Sequence, residues 1–419
     1  MHHFLYRDKQ LYGEEVPIER IAKDVGTPFY LYSYATLRNH FLVFENAFKE
    51  VSHIICFSVK ANSNIAVLKV FVREGGGCDV VSGGELARAL TAGVDPKKVV
   101  YSGVGKTVDE IKFALHTDIL MFNIESLQEL EVISEVAQQI DKVARISLRI
   151  NPDVDSKTHP YISTGLKKYK FGIDVKVAQD SYSFAKSLKN IDIVGVDCHI
   201  GSQITELEPF VDALKSLKKL IGVLRKDGFN IRYLDLGGGL GITYDTETPP
   251  HPNLYAAAIV EQVRDLGVIV VLEPGRVITG NAGILVTEVL YTKKMGEKNF
   301  IIVDAGMNDL LRPSLYDAYH GIQPVHIEER EKIKADIVGP ICESGDFFAR
   351  DRIVPHFKRK DIIAIMSAGA YGFTMSSNYN SRSRIPEVMV NGDQYYIIRH
   401  REEYCDLIKG EHIPEFLSQ

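Results

Sequence analysis

The chain has 419 residues, 45% hydrophobic and 25% charged, which fits a soluble globular protein with room for two or three domains. A net charge of −6 and a pI near 6.1 argue against partners such as nucleic acid or an anionic membrane. No apolar run approaches the roughly 20 residues that span a bilayer. The segment 1–8 lacks the apolar core of a signal peptide. Five scattered cysteines (Cys56, Cys78, Cys198, Cys342 and Cys405), without CxxC spacing, point away from a disulfide framework or a zinc site and toward a reducing cytoplasm. No bound metal is expected.

Residues 1–35 read as short extended pieces and one helical stretch, 18–25, before Pro28-Phe29-Tyr30-Leu31-Tyr32. Apolar strand candidates then recur at about 54–59, 78–81, 99–102, 119–123, 145–150, 192–199, 231–236 and 268–273. Most gaps between them carry a helical period. Thr107-Val108-Asp109-Glu110 is a capping box for a helix through Leu115, and 125–139 and 207–227 are longer amphipathic helices. Eight strands alternating with helices imply a parallel (β/α)8 TIM-type barrel over 36–278, with its site at the strands' C-terminal ends. After Arg276 the pattern changes to strands at 284–290, 300–304, 333–338, 362–366, 387–390 and 395–399 without long helices between them. Residues 279–419, with 1–35, therefore read as a mainly antiparallel β domain, sandwich- or barrel-like. The loop 152–172 is long for a compact barrel and is a candidate functional segment.

The strand ends are polar, and the barrel gathers them at one mouth. The first strand, Ile54-Ile55-Cys56-Phe57-Ser58-Val59, runs into Lys60. A lysine there either snorkels to solvent or, partly desolvated, serves as an amine that forms a Schiff base with an aldehyde cofactor. Asp79 lies on the second strand with Glu85 soon after it, Arg149 ends the fifth and His199 ends the sixth. Gly237-Gly238-Gly239-Leu240-Gly241 follows the seventh strand, where this fold often binds phosphate; glycines serving only a tight turn are the alternative. Glu273-Pro274-Gly275-Arg276 ends the eighth strand with a carboxylate suited to a pyridine ring nitrogen. The amine, the glycines, the carboxylate and the flat imidazole of His199 together describe one cofactor, pyridoxal 5'-phosphate.

These segments, with Cys78-Asp79-Val80-Val81-Ser82-Gly83-Gly84-Glu85, His199-Ile200-Gly201-Ser202-Gln203, Cys342-Glu343-Ser344 and Ala370-Tyr371-Gly372, resemble the fold-type III pyridoxal-phosphate-dependent decarboxylases over nearly the whole chain. Among these, they are similar to the branch acting on meso-diaminopimelate. The resemblance implies decarboxylation of meso-2,6-diaminopimelate to L-lysine and CO2, the last step of lysine biosynthesis. It implies that Lys60 holds the cofactor, His199 stacks on its ring and Glu273 pairs with the ring nitrogen. Ser202, Gly237, Gly238, Gly239, Gly275, Arg276 and Tyr371 would hold the phosphate, and Asp79, Glu85 and Arg149 would support ring and lysine. Substrate contacts would come from Arg276, Arg312, Tyr316, Glu343 and Tyr371. Cys342, from the other subunit of a homodimer with shared active sites, would give a proton to the carbon that loses CO2. By itself Cys342 also reads as an apolar filler. A related decarboxylase for ornithine, arginine or carboxynorspermidine is an alternative, as is a non-catalytic cofactor binder. An alanine racemase is disfavoured by Cys342-Glu343-Ser344.

Overall fold

The computed structural model describes residues 2–154 and 170–417, so the interior of the 152–172 loop lies outside the described residues. The chain divides into two compact units, one of residues 36–280 and one of residues 1–35 with 281–419.

The first unit is the expected barrel. Its strands are β1 (His53–Ser58), β2 (Gly77–Val80), β3 (Val99–Tyr101), β4 (Met121–Ile124), β5 (Ala144–Asn151), β6 (Ile191–Asp197), β7 (Tyr233–Asp235) and β8 (Ile269–Leu272). Each pairs in parallel with the next, and β8 pairs with β1 to close the ring. The capping box at Thr107 forms, and Ser82 and Ser126 cap their helices by accepting the backbone N–H groups of Glu85 and Glu129.

Cys56, Val100, Leu120, Met121, Val194 and Val271 form one buried cluster. Strands as far apart as β1, β3, β4, β6 and β8 can meet only inside the ring. Side chains two residues further along a strand share that face. Cys56 is thus followed by Ser58, Val100 by Ser102, Met121 by Asn123 and Val271 by Glu273. The interior is apolar below and polar towards the C-terminal rim.

In the second unit the long strand Gly283–Met295 is the spine, pairing antiparallel with Phe29–Ser33, Lys298–Val303 and Ile362–Ile365. Lys332–Val338, Glu387–Asn391 and Gln394–Arg399 extend the sheet as expected, and Ile18–Val25 is helical. Two pairings are parallel: Lys298–Val303 with Lys332–Val338, and Phe29–Ser33 with Glu387–Asn391. The sequence reading missed the strands Phe347–Pro355 and Ile322–Pro324. The first alternates charged and apolar residues at a sheet edge, and the second is short and ends in proline. Phe29, Leu31, Ile284, Val286, Ala364, Val388 and Val390 form the core, with Ile18 and Ile21 of the helix packed into it.

Candidate active site

Lys60 lies not on β1 but in the 3-10 turn Val59–Ala61 just beyond it. Its Nζ donates to Asp79 Oδ2 at 2.9 Å, and the Ser58 hydroxyl donates to the same oxygen at 2.8 Å. Asp79 is fully buried, whereas the Lys60 side chain keeps 34% of its exposure, so the amine remains reachable from the mouth. Glu85 sits in the first turn of the helix Gly83–Thr91, where its Oε2 accepts the Val81 N–H at 2.8 Å. Burial raises its carboxyl to about 7, with Asp79 adding to the shift and Val81, Lys60 and Arg88 opposing it.

Deeper in the mouth, Glu273 Oε1 receives the Ser102 hydroxyl at 3.2 Å and Asn123 Nδ2 at 3.3 Å. Asn123 Nδ2 also reaches Asp235 Oδ2 at 3.0 Å. Burial, then the neighbouring Asp235 and Asp79, push the Glu273 carboxyl well above the usual range. Asp235 rises to about 7 through burial and Asp197. Asp197 is raised by burial and Glu273. The mouth is thus rich in buried acids, and Asp79 Oδ1 and Asp197 Oδ1 have no hydrogen-bond partner among the described residues. Such a site suits a ligand that brings its own proton donors or positive charge. A pyridine ring with a Schiff-base nitrogen is one.

Arg149 is held by Glu125, with Nη1 2.6 Å from Oε1, while the Gly172 N–H donates to Glu125 Oε2 at 2.8 Å. The guanidinium lies 4.9 Å from the Phe171 ring centroid and donates to the His199 carbonyl at 3.4 Å. His199 Nδ1 accepts the Gly238 N–H at 3.1 Å, which leaves the ring proton on Nε2. Burial, with the cations Arg149 and Lys60, pushes the imidazole well below its usual value, so it is neutral.

Gly237 donates its own N–H to Asp235 Oδ1 at 2.9 Å. The N–H groups of Gly237 and Gly238 therefore serve the protein's own bonds. The two glycines are needed for space: a Cβ on Gly237 would lie 2.5 Å from His199 Nδ1, and one on Gly238 would lie 2.2 Å from the Glu273 carbonyl oxygen. Gly239 has φ +115° and lies against Gly201. Arg276 Nη2 donates to Ser202 Oγ at 3.0 Å and Nη1 to the Tyr244 hydroxyl at 2.7 Å. Gly275 packs on Ala61 and Ser58, which brings the turn after β8 against the lysine turn.

Within the second unit, Arg312 is buried, its Nε donating to His320 Nε2 at 3.3 Å and its guanidinium 5.9 Å from the Tyr316 ring. Ser314, on the same short helix, donates to the Gly345 carbonyl at 2.5 Å and ties that helix to the segment bearing Cys342 and Glu343. Asp346 shapes this segment by accepting the N–H groups of Ile341 and Met307 at 2.6 and 2.7 Å. Cys342 is exposed and free, its N–H donating to Asn380 Oδ1 at 2.8 Å. The Tyr379 hydroxyl reaches Glu343 Oε2 at 3.4 Å. Tyr371 has φ +55°, an outlying backbone for a bulky residue.

Sequence reasoning missed Ser102, Asn123, Glu125, Ser147 (whose hydroxyl donates to Asn123 Oδ1), Tyr244 and the parts played by Asp197 and Asp235. For Ser102 and Asn123 the available signal was their place two residues after a buried interior apolar one; the others carried no such mark.

A parallel barrel with an amine, buried carboxylates and a glycine-lined turn at one rim is the architecture of the pyridoxal-dependent decarboxylases, whose pyridoxal-binding domain matches residues 34–280. Within that class, the chain belongs to the diaminopimelate decarboxylase family. It is 51% identical to diaminopimelate decarboxylase of Haemophilus influenzae over 409 residues, 97% of this chain and 98% of the relative. The Helicobacter pylori diaminopimelate decarboxylase complexed with L-lysine matches it with a TM-score of 0.90 and 44% identity, covering 94% of this chain and 98% of the other. The M. jannaschii diaminopimelate decarboxylase in co-complex with L-lysine matches with a TM-score of 0.95 and 36% identity over 100% of both chains.

Proposed function

We propose that the chain removes CO2 from meso-2,6-diaminopimelate to give L-lysine, using pyridoxal phosphate at the barrel mouth, as the closing step of lysine biosynthesis. The observation that carries this reading is the convergence at one rim of the Lys60 amine on Asp79 and the buried Glu273 carboxyl.

Bound pyridoxal phosphate supplies an aldehyde that condenses with amines and a ring that accepts the electron pair left by departing CO2. Lys60 provides the amine for that aldehyde, and Asp79 orients it; Glu85 and Arg149 support the same side of the mouth. Glu273 is the carboxyl partner of the ring nitrogen. Neutral His199 offers a flat face rather than a charge. Ser202, Gly239, Gly275, Arg276 and Tyr371 hold the phosphate, with Gly237 and Gly238 giving the turn its shape. Arg276, Arg312, Tyr316 and Tyr371 take the substrate's distal carboxylate, and Glu343 takes its distal ammonium. Cys342, contributed by the second subunit of a homodimer, protonates the carbon that loses CO2. Its exposure and free thiol support that role.

Among the described residues no helix is long and apolar enough to cross a membrane. Five free cysteines support residence in a reducing cytoplasm. The test is CO2 release from a panel of meso-diaminopimelate, ornithine, arginine, lysine and carboxynorspermidine. Preference for meso-diaminopimelate is the expected result; preference for any other member overturns the assignment.

A further inference from the structure

The two oxygens of the Glu273 carboxyl are treated differently. Oε1 receives both the Ser102 hydroxyl and Asn123 Nδ2. The orientation of Asn123 is fixed from its other end, because the Ser147 hydroxyl donates to its Oδ1. Its amide nitrogen therefore faces Asp235, Ser102 and Glu273 and can only donate. Ser102 Oγ accepts from Asn123 at 3.1 Å and passes its own hydrogen to Glu273 Oε1. Ser102, Asn123, Ser147, Asp235 and Glu273 are all buried, so bulk water does not substitute for any of these bonds. The charged groups facing Glu273 are Asp235, Asp79 and Asp197 on the acidic side and Lys60 and Arg149 on the basic side, with the Cys56 thiol on the same strand layer below. A network built only to satisfy buried polar groups needs every donor matched to an acceptor. This one does more, since the Ser102 hydroxyl and a hydrogen of the Asn123 amide, shared with its nearer acceptors, both point at a single oxygen and disfavour a proton on it.

We propose that Ser102 and Asn123 are positioning residues that hold Glu273 Oε1 as an acceptor only, confine the exchangeable proton of Glu273 to Oε2, and so set how that proton is divided between Glu273 and the ring nitrogen of bound pyridoxal phosphate. This rests on the reading of Glu273 as the partner of the ring nitrogen. The transfer is balanced within the pair: the Oε2–H bond breaks, a nitrogen–H bond forms, and the carboxylate keeps the charge left behind. Donors on Oε1 stabilise the carboxylate and make it the weaker base, which favours the proton on the ring. Removing either donor strengthens Glu273 as a base and draws the proton back to Oε2. Asp235 is tied into the same arrangement through Asn123, and through the Gly237 N–H it reaches the turn after β7.

The test uses the holoenzyme reconstituted with pyridoxal phosphate carrying nitrogen-15 in the ring, read by NMR of the ring nitrogen beside kcat and KM. In the wild type the resonance is expected in the protonated range. Ser102→Ala should move it toward the neutral-pyridine position, Ser102→Thr, which keeps the hydroxyl, should leave it in place, and Asn123→Ala should move it further than Ser102→Ala. Along with these moves kcat should fall about tenfold while KM changes little. Glu273→Gln serves as the control for the underlying reading. If Glu273→Gln moves the resonance and neither Ser102→Ala nor Asn123→Ala does, the positioning role is overturned and the Glu273 pairing stands. If Glu273→Gln leaves it unmoved, the pairing itself fails and the proposal with it. Should Asn123→Ala not fold, the Ser102 pair of variants decides the matter.

Discussion

The Lys60 amine lies 2.9 Å from Asp79 Oδ2, an oxygen that also accepts the Ser58 hydroxyl, while the carboxylate is wholly buried and the amine is not. Asp79 therefore anchors the lysine from below and leaves its tip facing the mouth. Lys60→Ala should fold, because it removes a partly exposed group beyond β1, but should lose the Schiff-base absorbance near 420 nm and nearly all turnover. Borohydride reduction followed by peptide mapping gives the direct check. A label on Lys69, Lys97 or any lysine other than Lys60 would sink the assignment.

The proposed shared site can be tested by mixing. Lys60→Ala and Cys342→Ala proteins, each inactive alone, should regain activity together, because a hybrid dimer assembles one site with both residues intact. Random exchange between symmetric dimers limits recovery to roughly a quarter of the wild-type rate. No recovery, with subunit exchange verified by mass-tagged chains, counts against a composite site.

The proposed role of Arg312 at the distal carboxylate can be tested by comparing diaminopimelate with simpler amino acids. The residue is buried against His320 and is not a surface ion pair. Meso-diaminopimelate carries a carboxylate at its far end that ornithine and lysine lack, and a lost charge-assisted bond costs about 1.5–3 kcal/mol. Arg312→Ala should lower kcat/KM for diaminopimelate at least about tenfold, with far less effect on any side activity toward lysine or ornithine. Equal losses on both would remove Arg312 from the distal end. A melting curve of the variant separates that result from simple unfolding.

Glu85 makes a pH prediction whose sign follows from burial. Its folded value of about 7 stands above its ordinary 4.5. Between those values the folded chain keeps a proton that the unfolded chain has released, so the contribution of Glu85 to stability declines as pH rises through that window and is constant above it. Glu85→Gln should remove this decline and gain on the order of 1–3 kcal/mol relative to wild type at pH 8 compared with pH 4.5. Urea midpoints of both proteins across pH 4.5–8 measure it. Parallel curves would show that Glu85 ionises normally.

Much of the barrel was legible because its strands are short continuous apolar runs between helical periods, and parallel strands buried on both faces read that way. The eight strand candidates fall on β1 to β8 with ends shifted by a residue or two. The site was legible only where a residue type was conspicuous, as with Lys60, His199 and the glycine run. Ser102, Asn123 and Ser147 are ordinary polar residues whose importance comes from facing one another across the ring, and no linear spacing encodes that. The engaged N–H groups of Gly237 and Gly238 were likewise invisible, since a glycine run reads the same whether its amides face a ligand or the protein. In the second unit, Phe347–Pro355 was missed because charged residues break up its apolar pattern.

The barrel closes between β1 and β8, where Ile55 pairs with Leu272. Lys60 follows one of these strands and Glu273 the other, more than two hundred residues apart in the chain. At a synthesis rate of about 5–20 residues per second, a growing chain spends on the order of ten seconds or more with the amine made and the carboxyl not yet translated. An aldehyde caught by the lysine in that interval meets no carboxyl partner and no finished pocket. With the roles proposed for Lys60, Glu273 and Tyr371, stable loading of the cofactor waits at least until β8 has left the ribosome and sealed the ring, so that cofactor capture reports on synthesis past the end of the barrel.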